Sequence, residues 1–115
     1  MITIYGIPNC DTMKKAFAWL NAHEIEYRFH DFKKAGLDKA LLDAWIARVG
    51  WDLLLNRRGM MWRKLDDKVK INIDQDSARM IMLQTPSIIK RPVLDNGEEL
   101  IIGFSEERYR ALPQN

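Results

Sequence analysis

One cysteine occurs in this chain, Cys10, and its surroundings suit thiolate chemistry. It follows Ile2-Thr3-Ile4-Tyr5-Gly6-Ile7, a short apolar run fit for a buried strand, which Gly6 and Pro8 interrupt. Asn9 is a favoured helix cap, and beyond it Met13, Ala16, Phe17 and Leu20 recur at i, i+3, i+4 and i+7. The spacing predicts a helix from about Cys10 to Ala22, with Cys10 in its first turn. Unpaired amides and the positive end of the helix dipole meet there, and both favour an anion. A cysteine so placed near Lys or Arg has its pKa lowered from about 8.5 into a range of roughly 3.5–7.5, and Lys14 is one turn along. The plainer alternative is a small buried hydrophobe, since free cysteine is among the most buried residue types. A cap position after Pro8-Asn9 is not an apolar core position, so the reactive thiol is the favoured reading.

A strand must deliver Cys10 and a helix must hold it. Glu26 to Phe32 alternates, with Tyr27 and Phe29 on one face and Arg28 and His30 on the other, which predicts a second strand. Strand, helix and strand at these lengths form a βαβ unit with parallel strands. From Lys33 the pattern turns helical: Leu37, Leu41, Leu42, Trp45, Ile46 and Val49 share a face, and Gly50 terminates it. A short apolar turn, 51–55, follows, and 60–65 fits neither period. Asp74 or Asp76 caps a further helix carrying Ala78, Ile81 and Met82, which must end before Pro86 because Thr85 precedes a proline. Strands then return, with Pro92 to Asp95, Asn96-Gly97 and Glu98 to Phe104 reading as a hairpin. Ser105-Glu106-Glu107 opens a last helix bearing Tyr109 and Leu112. The element order is that of an α/β thioredoxin-like fold. One domain, 1–115, has its core in 1–32 and 85–115 and a helical insert over 33–84.

Composition bounds the function. With 47% hydrophobic and 30% charged residues in 115, the chain is an ordinary globular protein. A net charge of +2 is too small to imply nucleic acid or a membrane surface. A single cysteine excludes an internal disulfide and any Cys-based zinc site, and His23 and His30 are too far apart in sequence to suggest a metal pair. No stretch reaches membrane-spanning length and no signal peptide precedes the first strand, so the expected location is the cytoplasm. Trp19, Trp45 and Trp51 sit in apolar repeats and are assigned to the core. Basic residues around Trp62 invite a single-stranded nucleic acid reading, but one such tryptophan without a wider basic excess argues against it.

Four segments together resemble the arsenate reductase (ArsC)/Spx family, and within it the short YffB-type branch. They are Ile4-Tyr5-Gly6-Ile7-Pro8-Asn9-Cys10-Asp11-Thr12, Asn56-Arg57-Arg58-Gly59, Trp62-Arg63-Lys64-Leu65 and Ile88-Ile89-Lys90-Arg91-Pro92. The resemblance implies a thioredoxin-like core with a helical insert, a nucleophile at Cys10 and a cis-proline at Pro92 facing the thiol. Because the chain holds no second cysteine to resolve an adduct on Cys10, the leading reading is a glutathione-dependent monothiol reductase acting on an oxidised small molecule or protein thiol. Glutathione is then the cosubstrate, and Arg91, Arg58, Lys14, Pro92 and Asn9 bind glutathione or an anion. Lys15, Arg57 and Lys90 are left as a solvated basic face. His30 is either a base approaching Cys10 from the neighbouring strand or, more commonly for such a residue, a strand surface residue.

The departures from the family pattern are informative. Met13 stands where Spx-type members carry the second cysteine of Cys-x-x-Cys. Asn56 and Gly103 fall where arsenate reductases have arginines, and Gly6 where they have no glycine. The implied arsenate site is thus incomplete. The rival reading is an Spx-like regulator that docks on RNA polymerase as a protein partner, with Cys10 at most a sensor.

Overall fold

The computed structural model describes residues 1–112. Elements follow in the order β1 (Ile2–Gly6), α1 (Asp11–Ala22), β2 (Tyr27–Asp31), α2 (Phe32–Ala35), α3 (Lys39–Val49), α4 (Trp51–Leu54), α5 (Met60–Arg63), α6 (Asp67–Ile71), α7 (Gln75–Gln84), a 3-10 turn (Pro86–Ile88), β3 (Val93–Asp95), β4 (Leu100–Ile102) and α8 (Glu106–Arg110). The chain divides into two compact units, Met1–Ala35 with the segment from Arg91 onward, and Gly36–Lys90.

The first unit is the thioredoxin-like core. Its sheet has the order β2-β1-β3-β4, with β1 parallel to β2 and antiparallel to β3, and β3 antiparallel to β4. The βαβ expectation therefore holds. Alternation puts Ile2 and Ile4 of β1 on the α1 side, where they pack with Met13, Ala16, Leu20, Leu94, Ile101 and Tyr109. Trp19 and Phe104 meet Tyr109 edge-on, at centroid distances of 5.5 and 4.9 Å. Tyr109 is fully buried, its hydroxyl has no hydrogen-bond partner among the described residues, and burial pushes its ionisation far above the ordinary tyrosine range.

Three boundaries differ from the sequence expectation. β2 ends at Asp31 rather than Phe32, because the Asp31 carboxylate accepts the Lys33 amide at 2.9 Å and turns the chain into α2. The hairpin closes with four residues, 96–99, rather than with Asn96-Gly97 alone. The Asn96 side chain accepts from both Glu98 and Glu99 amides, which stabilises the wider turn. Residues 60–65, which fit neither period, hold the short helix α5, and a second short helix, α6, follows it.

The turn from α1 to β2 is a Schellman closure: Ile25 N–H bonds Leu20 C=O at 3.0 Å and Glu24 N–H bonds Asn21 C=O at 3.1 Å. That motif needs a left-handed residue, usually glycine, and here Glu24 supplies it at φ 55°. Left-handed backbone costs a side-chain-bearing residue roughly 1–2 kcal/mol, and glycine's greater unfolded-state freedom offsets part of this. Glu24→Gly is expected to stabilise the chain by about 1 kcal/mol, read as a higher urea midpoint at an unchanged slope.

The second unit is helical. Asp38 caps α3 by accepting the Leu41 amide at 3.2 Å, and Gly50 at φ 85° ends it. Of the two candidate caps for α7, Asp74 is the one used: it accepts the Ser77 amide at 2.9 Å while Ser77 Oγ accepts the Asp74 amide at 3.0 Å. Arg79 on α7 bridges Asp43 on α3 with two hydrogen bonds, 2.6 and 3.2 Å. Trp45 is fully buried here, as expected. Trp51 is a correction, being only partly buried at the start of α4.

Candidate active site

The chain bends at Pro8 and Asn9 and Cys10 is extended, at φ −139° and ψ 131°, so Cys10 itself is the N-cap of α1. Asn9, expected as the cap, lies one residue outside the helix and is exposed. The reason is that Cys10 keeps an extended backbone after the bend at Pro8 and Asn9, so the first helical residue is Asp11. The helix's N2 and N3 amides, on Thr12 and Met13, are the groups that a cap side chain meets. Cys10 C=O accepts the Lys14 amide at 3.0 Å to close the first turn, while the Lys14 side chain is exposed.

The thiol is partly exposed and packs against the core of its unit. Burial is the largest single influence on it and opposes ionisation. Against burial act the Met13 amide, a hydrogen bond from the Arg91 side chain, the Thr12 amide and the Arg91 charge. These together hold the Cys10 thiol below its ordinary range. The neutral thiol makes no closed cap hydrogen bond, so the pull of the two amides is on the anion.

Arg91 reaches the thiol through strand register. Tyr5 on β1 pairs with Val93 on β3, antiparallel. The residues just before Val93 therefore lie beyond the same sheet end as the residues just after Gly6. The Arg91–Pro92 bond is cis, as the family resemblance implies. The Pro92 carbonyl accepts the Gly103 amide at 2.8 Å, tying the segment to β4.

Gly6 and Met13 are a matched pair. A side chain at Gly6 would place its Cβ 2.5 Å from Met13 Sδ and 2.8 Å from Cε. Met13 is fully buried, so the first turn of α1 rests directly on the bare backbone of β1. The two departures from the family pattern are thus one steric fact: no side chain on the strand, a long one on the helix. A glycine inside a strand run is the sequence signal for such an approach.

His30 belongs to the other side of the sheet. It is in register with Tyr5, and its ring stands 5.0 Å from that of Tyr5 and 6.0 Å from that of Phe32. The reading as a strand residue is supported, and His30 is not among the groups acting on the thiol.

Arg58 lies in the second unit. There Leu55 and Ile89 form an antiparallel bridge, flanked by Asn56 N–H to Ile88 C=O at 2.9 Å and Lys90 N–H to Leu54 C=O at 2.8 Å. The two motifs Asn56-Arg57-Arg58-Gly59 and Ile88-Ile89-Lys90 are thereby joined. Asp52, Asn56, Arg57, Arg58 and Lys90 line a cleft of about 420 Å³. Arg57 is more than a solvated charge: its guanidinium sits 5.7 Å from the Trp51 ring and 5.5 Å from the Trp62 ring, and pairs with Asp52 at 2.5 Å. Sequence reasoning also left Lys90 on a solvated face, whereas it lines the cleft with Arg58. No cluster of three or more His, Cys, Asp or Glu side chains occurs among the described residues, and none of their helices is long and apolar enough to cross a membrane.

Comparison with known proteins places this geometry. The ArsC family model matches residues 5–112. A solved structure described as the YFFB protein superimposes with a TM-score of 0.92 at 46% identity, covering 96% of this chain and 97% of that one. The solution structure of an arsenate reductase (ArsC) related protein from Brucella melitensis is 53% identical, with a TM-score of 0.80 and coverage of 96% and 92%. A global transcriptional regulator Spx from Streptococcus mutans is 31% identical over 100% of this chain and 85% of its own length. Taken with the strand-to-helix cysteine and the cis Arg91–Pro92 bond, these matches show that the chain belongs to the ArsC family.

Proposed function

We propose that this chain is a monothiol reductase that uses glutathione. The observation that carries the reading is the Cys10 thiol, held toward its anion by Arg91 and two helix amides, with buried Met13 where a second thiol would stand. The Cys10 thiolate attacks a sulfur of an oxidised substrate, and the S–S bond breaks. One half remains on Cys10 as a mixed disulfide and the other leaves as a thiolate that takes up a proton. With no second cysteine in the chain, an external thiol must attack the adduct. Glutathione thiolate does so, restoring Cys10 and carrying the other sulfur away as a disulfide. The electron pair delivered to the substrate comes from glutathione. Its carboxylates need cations, and Arg91, Arg58 and Lys14 are assigned to them, with Asn9 and Pro92 shaping the approach.

The test is turnover of a glutathione mixed disulfide of a small thiol, with oxidised glutathione followed through glutathione reductase and NADPH. Turnover above the uncatalysed exchange rate is expected, and its absence overturns the proposal. Arsenate under the same coupling is expected to be turned over poorly, because Asn56 and Gly103 cannot supply charge-assisted donors to an oxyanion adduct.

One observation favours a second reading, the similarity over the whole of this chain to a protein named as a transcriptional regulator. On that reading the fold is a docking surface for RNA polymerase. A chain that captures polymerase subunits and is inert in the coupled assay would establish it.

A further inference from the structure

The outer strand β2 is paired along one edge, to β1, with Ile2 opposite Tyr27 and Gly6 opposite Asp31. No strand among the described residues pairs with its other edge, and proteins usually blunt such an edge with proline, lysine or a bulge. Residues 26–31 contain neither proline nor lysine, and the ladder runs through five consecutive pairs without a bulge. Beside them opens a hollow of about 800 Å³, lined by Asn21, Glu24, Glu26, Tyr27 and Phe29 among others. Tyr27 and Phe29 are only half-buried there, against Phe17 at 5.5 and 5.1 Å.

The pattern of this edge is complementary to itself in one register. Ile25, Tyr27 and Phe29 share the α1 face, while Glu26 and Arg28 are exposed on the opposite face. A symmetric antiparallel pair centred on Arg28 would set that arginine against its own copy. One centred on Phe29 would set Arg28 against His30. Centred on Tyr27, the pair sets Glu26 opposite Arg28 twice on one face. On the other face Tyr27 meets its own copy, with each Phe29 beyond it opposite Ile25, which its own core buries. Opposite charges and aromatic pairs across strands are favourable, and like charges directly opposite are not.

We propose that β2 is a self-pairing edge, through which two copies of this chain associate antiparallel about Tyr27. The contact is one short strand deep, so the association is weak and concentration-dependent. It is independent of the redox chemistry.

Sedimentation equilibrium of the whole chain, with reductant present to keep Cys10 from linking copies, tests this. The average mass is expected to rise from monomer toward dimer with concentration. Glu26→Arg and Arg28→Glu alone should each weaken association by about tenfold, and the double variant should restore it. Both positions are exposed, so the variants keep the fold. In a Cys10→Ser chain, Tyr27→Cys should form a linked dimer on oxidation. A monomer at every concentration up to about 1 mM overturns the proposal, as does a dimer indifferent to both charge reversals. An edge that binds only unrelated extended peptides reads as monomer in this experiment and overturns it equally.

Discussion

Cys10→Ser is expected to take up no glutathione, while the native chain incubated with oxidised glutathione gains one per molecule by mass. The serine hydroxyl is nearly isosteric with the thiol, but it is not ionised at neutral pH and is a far weaker nucleophile toward sulfur. The fold should be retained, because Cys10 is partly exposed and closes no side-chain cap bond. Circular dichroism and the urea midpoint should therefore be close to native. Turnover in the coupled assay should fall to the uncatalysed rate, since no other residue in the chain can carry the adduct. Undiminished turnover by Cys10→Ser would remove the thiol from the mechanism and with it the enzyme reading.

The position of Cys10 was legible because two local signals agree: Gly6 and Pro8 end a strand, and the 3.6-residue face through Met13 and Leu20 begins a helix. The exact cap was not legible. Asn9 has the better cap chemistry, and only the backbone path after Pro8 decides that Cys10 takes the position. Arg91 was reachable by resemblance alone, for a topological reason. It stands about eighty residues from Cys10, and what joins them is the antiparallel pairing of Tyr5 with Val93, a contact that no local pattern encodes. The insert shows the same limit. Arg57 looks like any exposed arginine in sequence, yet two tryptophans, six residues before and five after, turn out to flank it. The short helices α5 and α6, four and five residues long, have too few turns for a period to show. Glu24, in a left-handed conformation usually given to glycine, defeats the turn signal altogether.

The electrostatic reading of the site yields the other large effect. Alkylation of Cys10 should follow a titration whose midpoint lies below the ordinary thiol value of about 8.5, because the thiolate is the reactive form. Arg91→Ala removes both a hydrogen bond to the sulfur and a nearby positive charge, leaving burial opposed only by the Met13 and Thr12 amides. The midpoint should then move up toward the ordinary value. Each unit by which the midpoint rises above the assay pH lowers the thiolate fraction tenfold, while the more basic thiolate gains about threefold in intrinsic nucleophilicity. The net loss in alkylation rate at pH 7 is therefore about threefold for each unit the midpoint stands above 7, and at pH 10 the variant should match or exceed the native rate. Linkage gives the same sign in stability. A thiol whose folded pKa is depressed contributes stability above its unfolded pKa and loses it as pH falls through the folded one. Native stability should thus gain on Arg91→Ala as pH rises through the interval between the two values. Arg91→Lys, which keeps a charge but loses the planar donor, should fall between the two. A midpoint unmoved by Arg91→Ala would show that the amides of α1 alone hold the anion, and would sink the role assigned to Arg91.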